Sequence, residues 1–366
     1  MYRGKIGDGS DVRSQDRLAD LDSHTWRLSD FGHCTPMLTR KRAVRMENRV
    51  EQKCTFVLIP RWTSPIDEEF ALGDGYSIAR IPDELMPAFD RYASLHAPDG
   101  SAHLVGHYDL LEMQDATHCV KHAYLTPPKA RRFEAESQLR ECAKRVVQAI
   151  QLIRPTEAAP KYILQTRGEQ LEVETFVHTH QKSLVDDQCP LEPFKREELD
   201  TVQTFWKRIC ESYTHHETRF NRVANALECF RVGLDTRAYQ IRITLFVIGL
   251  ESLYSTRTAE ITYLLAQRVA WFLGRDGSER EELFRLASEV YSLRSTIVHG
   301  SSQKYRVGAA EKRVAITFAA EDLLRRSLRK ILTESGFRNV FLVSDNIEGY
   351  FGQLTLGVPG GLGRVH

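Results

Sequence analysis

From residue 195 onward the apolar residues recur at helical spacing, and that periodicity restricts the fold more than any other feature. Leu199, Val202, Trp206, Ile209 and Tyr213 are spaced 3, 4, 3 and 4, which puts them on one stripe of an α-helix. Phe220, Val223, Leu227 and Phe230 repeat the pattern before Gly233. Ile261, Leu264, Leu265, Arg268 and Phe272 run up to Gly274, and Leu283, Leu286, Val290, Leu293 and Ile297 run up to Gly300. Both glycines read as helix stops. A last helix is predicted over 319–334, with Leu324, Leu328 and Ile331 inward. The stretch 241–254 is apolar and rich in β-branched residues, which leaves helix and strand both open there. Amphipathic helices joined by short loops bury their stripes against one another, so an antiparallel bundle is expected over 195–336.

The first half has a different period. Short β-rich runs at 55–59, 76–81, 122–126, 161–164 and 171–177 are punctuated by Gly, Pro and Asp, as strand ends are. One helix interrupts them: after Pro127 and Pro128, residues Leu139, Cys142, Val146, Ile150 and Ile153 form a stripe that Pro155 ends. A mixed α/β domain is expected over 51–190, closed by a linker at Cys189, Pro190 and Pro193. Residues 1–50 are polar and charge-mixed and are expected to be partly disordered. The segment 337–366 is expected to be short, extended and, towards its glycines, loose. The fold class is therefore α+β, a mixed domain followed by a helical bundle.

Composition narrows the functional classes. A chain of 366 residues with 42% apolar and 27% charged residues is ordinary for a globular protein. Its formal charge of +1 supplies no global field, so binding of a polyanion has to come from local clustering. The charged first thirty residues leave no room for the apolar core of a signal peptide, and no apolar run approaches the ~20 residues that span a bilayer. Seven scattered cysteines without a C-x-x-C pair suit free thiols, and a cytoplasmic location is expected. No P-loop, dinucleotide fingerprint or nucleophile elbow is present, and the pattern implies no cofactor. His103, His107, His118 and His122, with Cys119, are the one histidine-rich patch; the glycine and turn residues around them argue against a helical H-x3-H metal site.

The chemistry is concentrated near the predicted end of the fifth stripe. Arg294 stands five residues ahead of His299, with Ser295 next to the arginine and Gly300 next to the histidine. On a helix, Ser295 and His299 share a face one turn apart, whereas Arg294 and His299 are separated by roughly 140° and about 7.5 Å of rise. The forked arginine side chain spans such a gap. An imidazole there can take a proton from a ribose 2′-OH or return one to a leaving oxygen. The guanidinium can hold phosphate oxygens and stabilise the charge of a pentacoordinate transition state. Without flanking context, the same pair reads first as a helix-terminal salt bridge and cap without chemistry. Basic residues follow at Lys304, Arg306, Arg325 and Arg329, either a surface that tracks RNA phosphates or a solvated helix face.

Three segments in order, 250–254 with Glu251, 260–270 with Arg268, and 291–300 with Arg294, Ser295, His299 and Gly300, resemble the HEPN superfamily and its Apea-like branch. The resemblance covers about 196–335. It implies a helical bundle that forms a homodimer, with two R-x4-H motifs facing each other across a composite cleft. It further implies a metal-independent endoribonuclease of toxin or antiphage-defence systems, which cuts RNA by 2′-OH attack. By that likeness Arg294 and His299 are the catalytic pair and Ser295 takes the polar position beside them. Glu251 orients the arginine, or else serves as an interhelical partner for Arg268 or Arg294. The 51–190 region would then meet a trigger ligand or regulatory protein. The alternative is a catalytically silent module of the same shape that binds RNA, a nucleotide or a defence-system partner.

Overall fold

The computed structural model describes residues 52–59, 68–81, 117–125, 132–156, 158, 160, 162–167, 170–175, 193–218, 221–256, 260–299, 309–342 and 344–356. Helices dominate, and the strands form one antiparallel sheet. In chain order the strands are β1 (Gln52–Ile59), β2 (Phe70–Gly73), β3 (Tyr76–Arg80) and β4 (His118–Leu125), then β5 (Tyr162–Arg167) and β6 (Gln170–Thr175). They pair in the order β2-β3-β4-β1-β5-β6. The register places Phe70, Ile78, Val120, Val57 and Ile163 in one cross-strand row. Helix α1 (Arg132–Ile153) lies between β4 and β5 in sequence and packs on β1 and β4. Its stripe is the expected one, with Leu139, Cys142, Val146 and Ile150 all buried.

Strand β2 is absent from the sequence reading. It is only four residues long, and the turn to β3 uses three consecutive left-handed residues, Gly73, Asp74 and Gly75. Gln203 holds it from outside the sheet, donating from Nε2 to the carbonyls of Ala71 at 2.9 Å and Leu72 at 3.3 Å. His118 and His122 lie on β4. Four residues along a strand separate them by about 13 Å, so they do not converge on one ion. His103 and His107 lie outside the described residues.

The helical half consists of α2 (Arg196–Thr218), α3 (Arg222–Asp235), α4 (Tyr239–Tyr254), α5 (Ile261–Leu273), α6 (Gly277–Val298) and α7 (Ala309–Thr333). Two short helices follow, α8 (Ser335–Leu342) and α9 (Ser344–Thr355). The open question at 241–254 resolves as helix. It is apolar nearly all round because α3, α5, α6 and α7 all pack against it. His215 and His216 belong to the last turns of α2. Helix α7 begins ten residues earlier than its apolar stripe suggests. Residues 337–342 and 344–355 are helical rather than extended, and Phe337, Phe341, Ile347 and Phe351 are buried. Among the described residues one core runs from the sheet through α1 into the bundle, and 50–366 clusters as one unit. Among the described residues no helix is long and apolar enough to cross a membrane.

Helix ends are closed by cations from other segments. Arg242 donates to the carbonyls of Gly233, Leu234 and Thr236 at the end of α3. Arg222 reaches Ser252 and Ser255, and Arg268 reaches Tyr254, at the end of α4. Lys330 closes α5 at Phe272, and Arg325 closes α1 at Gln151. The last carbonyls of a helix lack intrahelical donors and carry the negative end of its dipole, so a buried guanidinium there meets both needs.

Candidate functional site

Helix α6 carries the motif. Asp276 caps its start, accepting from the backbone N–H of Glu279 at 2.9 Å. Leu283, Ala287, Val290 and Leu293 bury one face. Antiparallel packing on α5, with Tyr263 against Phe284 and Trp271 against Arg280, fixes its rotation. The final turn projects beyond this buried stripe. Val298 is 51% exposed, and His299 is an exposed C-cap residue whose N–H bonds the Ser295 carbonyl at 3.0 Å. Ser295 is half-buried and offers that carbonyl, not its hydroxyl. Gly300 and the two basic residues Lys304 and Arg306 lie outside the described residues.

Arg294 sits in a small cluster contributed by two helices. Its Nη2 lies 3.6 Å from Oε2 of Glu251 on α4, and each side chain is 21% exposed. The guanidinium carbon is 5.8 Å from the ring centre of Tyr291, one turn back on α6. Its Nε is buried and makes no hydrogen bond among the described residues. The Tyr291 phenol feels the charge of the same Glu251. Desolvation first, and then that carboxylate, raise its pKa above the usual phenol value, with Arg294 opposing. The guanidinium is thus tethered by charge, stacked near a ring, and not saturated by protein acceptors.

Of the two partners open to Glu251, Arg294 is the one it meets. Arg268 is engaged elsewhere. It donates to the Tyr254 carbonyl, to Thr256 at 3.0 Å and to Glu348 at 2.8 Å, and stands over the Phe351 ring. Of the two basic residues expected on the surface of α7, one is buried. Arg325 is 5% exposed, pairs with Glu321 and donates to the Gln151 carbonyl at 2.9 Å, so it faces the core rather than a phosphate. Charge was the only sequence sign of exposure there, and the need to close α1 overrides it. Arg329 is exposed. Along the outer face of α6 runs an open groove with Glu281, Glu282 and Glu289 beside Arg285. Its carboxylates repel phosphate, and its lining reaches Ser292, just short of Arg294.

Tyr291 is the residue that sequence reasoning passed over. Its position three before Arg294 on a helix was the available signal. Comparison with family models, with curated proteins and with solved structures finds nothing that matches this chain.

Proposed function

We propose that the chain is a metal-independent endoribonuclease of the HEPN type, acting in toxin or antiphage defence. Arg294 binds and stabilises the scissile phosphate, and His299 transfers protons. The observation that carries this reading is the combination at the end of α6. An arginine stands beside Glu251 at 3.6 Å with its buried Nε unpaired among the described residues, and an imidazole five residues on stands exposed at the helix terminus. An RNA 2′-OH deprotonated by His299 would attack the adjacent phosphorus, and the 5′-oxygen would leave, giving a 2′,3′-cyclic phosphate and a 5′-OH. The guanidinium would neutralise charge on the phosphorane oxygens. The bundle would work as a homodimer that brings two such motifs together. The sheet-bearing half, with α1 packed on it, would receive a trigger ligand or regulatory protein.

The test is cleavage of single-stranded RNA by wild type, His299→Ala and Arg294→Ala, with the product ends identified. Cyclic-phosphate ends from wild type and a loss of at least ~100-fold in either variant are expected, on the scale of removing a proton-transfer group. Equal cleavage by all three proteins would overturn the assignment. RNA binding without cyclic-phosphate product would favour the silent module.

A further inference from the structure

Resting on that reading, we infer that Arg268 and Glu348 are positioning residues: together they clamp α9 onto the last turn of α4, the turn that carries Glu251, and so fix where Arg294 meets a phosphodiester.

Arg268 lies in α5 among the buried Leu265, Ala266, Val269 and Ala270 and is only 4% exposed. A guanidinium taken out of water needs acceptors for its donors. It finds them at one place. Nη1 donates to the Tyr254 carbonyl at 2.6 Å and to Thr256 Oγ1 at 3.0 Å, and Nη2 donates to Glu348 Oε1 at 2.8 Å. Thr256 also donates to that Glu348 oxygen, and the guanidinium stands 5.5 Å from the centre of the Phe351 ring. A second arginine repeats the pattern from α3. Arg222 donates to the carbonyls of Ser252 at 3.0 Å and Ser255 at 2.8 Å, and to Ser344 Oγ at 2.8 Å. Both cations join the end of α4 to α9, and Arg268 does so through a carboxylate, the stronger kind of link.

The last carbonyls of a helix have no intrahelical donors, and helix ends fray. Glu251 belongs to the end that is clamped. Its carbonyl accepts from the Ser255 N–H at 2.8 Å, and its carboxylate stands 3.6 Å from Nη2 of Arg294. At that separation the pair is held by charge rather than by a hydrogen bond. Its geometry therefore depends on where the backbone of α4 places Glu251. Loosening the turn shifts the carboxylate, and Arg294 with it.

The test is a double-mutant cycle on cleavage of single-stranded RNA by the full chain: wild type, R294A, E251Q, E348A, E348Q, and E348A with E251Q. E348A should lower kcat/KM about tenfold, within what a small misplacement of a reacting group costs, and E251Q should lose about as much. E348Q keeps an acceptor oxygen for Arg268 and should recover more than half of the E348A loss. In the E251Q background E348A should cost no further activity, because the residue it acts through is already gone. The fall in melting temperature should be the same in both backgrounds. If E348A gives no cooperative melt, Thr256→Val takes its place in the same cycle, with a loss of about threefold expected. Wild-type cleavage by E348A or by E251Q ends the positioning role, as do equal losses with and without Glu251; the nuclease reading then stands as long as R294A is impaired. If R294A cleaves as fast as wild type, or wild type leaves RNA intact, both fall.

Discussion

Gly249 in the middle of α4 illustrates how tightly single positions are set. A Cβ there would lie 2.7 Å from a terminal methyl of Leu324 and 3.3 Å from the Cβ of Cys229. Leu324 is fully buried, so its methyl has to shift within the core. Gly249→Ala should lower stability by about 1–2 kcal/mol: overpacking costs about 1–3 kcal/mol, and the gain in helix propensity offsets up to about 1. Urea denaturation monitored by circular dichroism measures it, and an unchanged or raised midpoint would show that α4 and α7 are packed more loosely than described. His299 presents the opposite case. It is exposed at a helix end, so its loss should cost chemistry and almost no stability. At this scale the sequence was a good guide along the apolar stripes of the long helices and a poorer one for arginine. Arg242, Arg268 and Arg325 are all nearly inaccessible. Residue type alone does not distinguish a solvated guanidinium from one closing a helix.

Among the elements, the cross-bundle caps make the sharpest prediction. Arg325 and Glu321 form a buried pair one turn apart on α7, and Arg325 also closes α1. Arg325→Met should destabilise by about 3–5 kcal/mol, because it strands the Glu321 carboxylate in the core. Replacing both residues with Met should recover more than half of that loss, leaving chiefly the unsatisfied Gln151 carbonyl at about 1–3 kcal/mol. Additive losses in a double-mutant cycle would exclude this account. The long helices were legible because their stripes repeat over several turns. The N-terminal part of α7, α8 and α9 were not. The first is polar around Glu311, Lys312 and Arg313, and the other two are only eight and twelve residues long, too short for a period to stand out. Strand β2 was hidden by brevity as well.

At the level of the molecule, the C-terminal helices complete the core. Tyr254 is fully buried and meets the rings of Phe272, Phe341 and Phe351 edge-on at 6.0, 5.8 and 6.1 Å. It also donates to Ser327 at 2.7 Å. Phe337 and Tyr350 extend the cluster over Phe272. A chain ended at Glu334 would lose Phe337, Phe341, Tyr350 and Phe351. Deletion of a buried aromatic costs about 3–5 kcal/mol, and whole domains hold only about 5–15, so this truncation should abolish a cooperative thermal transition. A sharp melt near the full-length midpoint would mean that α8 and α9 are accessory. Sequence reasoning separated a sheet-bearing region from a helical one, and both elements exist. It did not reveal that their cores merge, because hydrophobic period reports which face is buried and not against what.

The amide of Gln203 gives the sheet a property that reaches outside this chain. Among the described residues strand β2 ends the ladder, and an unpaired end strand is an invitation to foreign backbone. By donating to the Ala71 and Leu72 carbonyls, Gln203 stands in for a next strand. An incoming polypeptide would have to displace a side chain anchored on a packed helix before it could add itself there. That border is therefore sealed against intermolecular β-addition by one amide group.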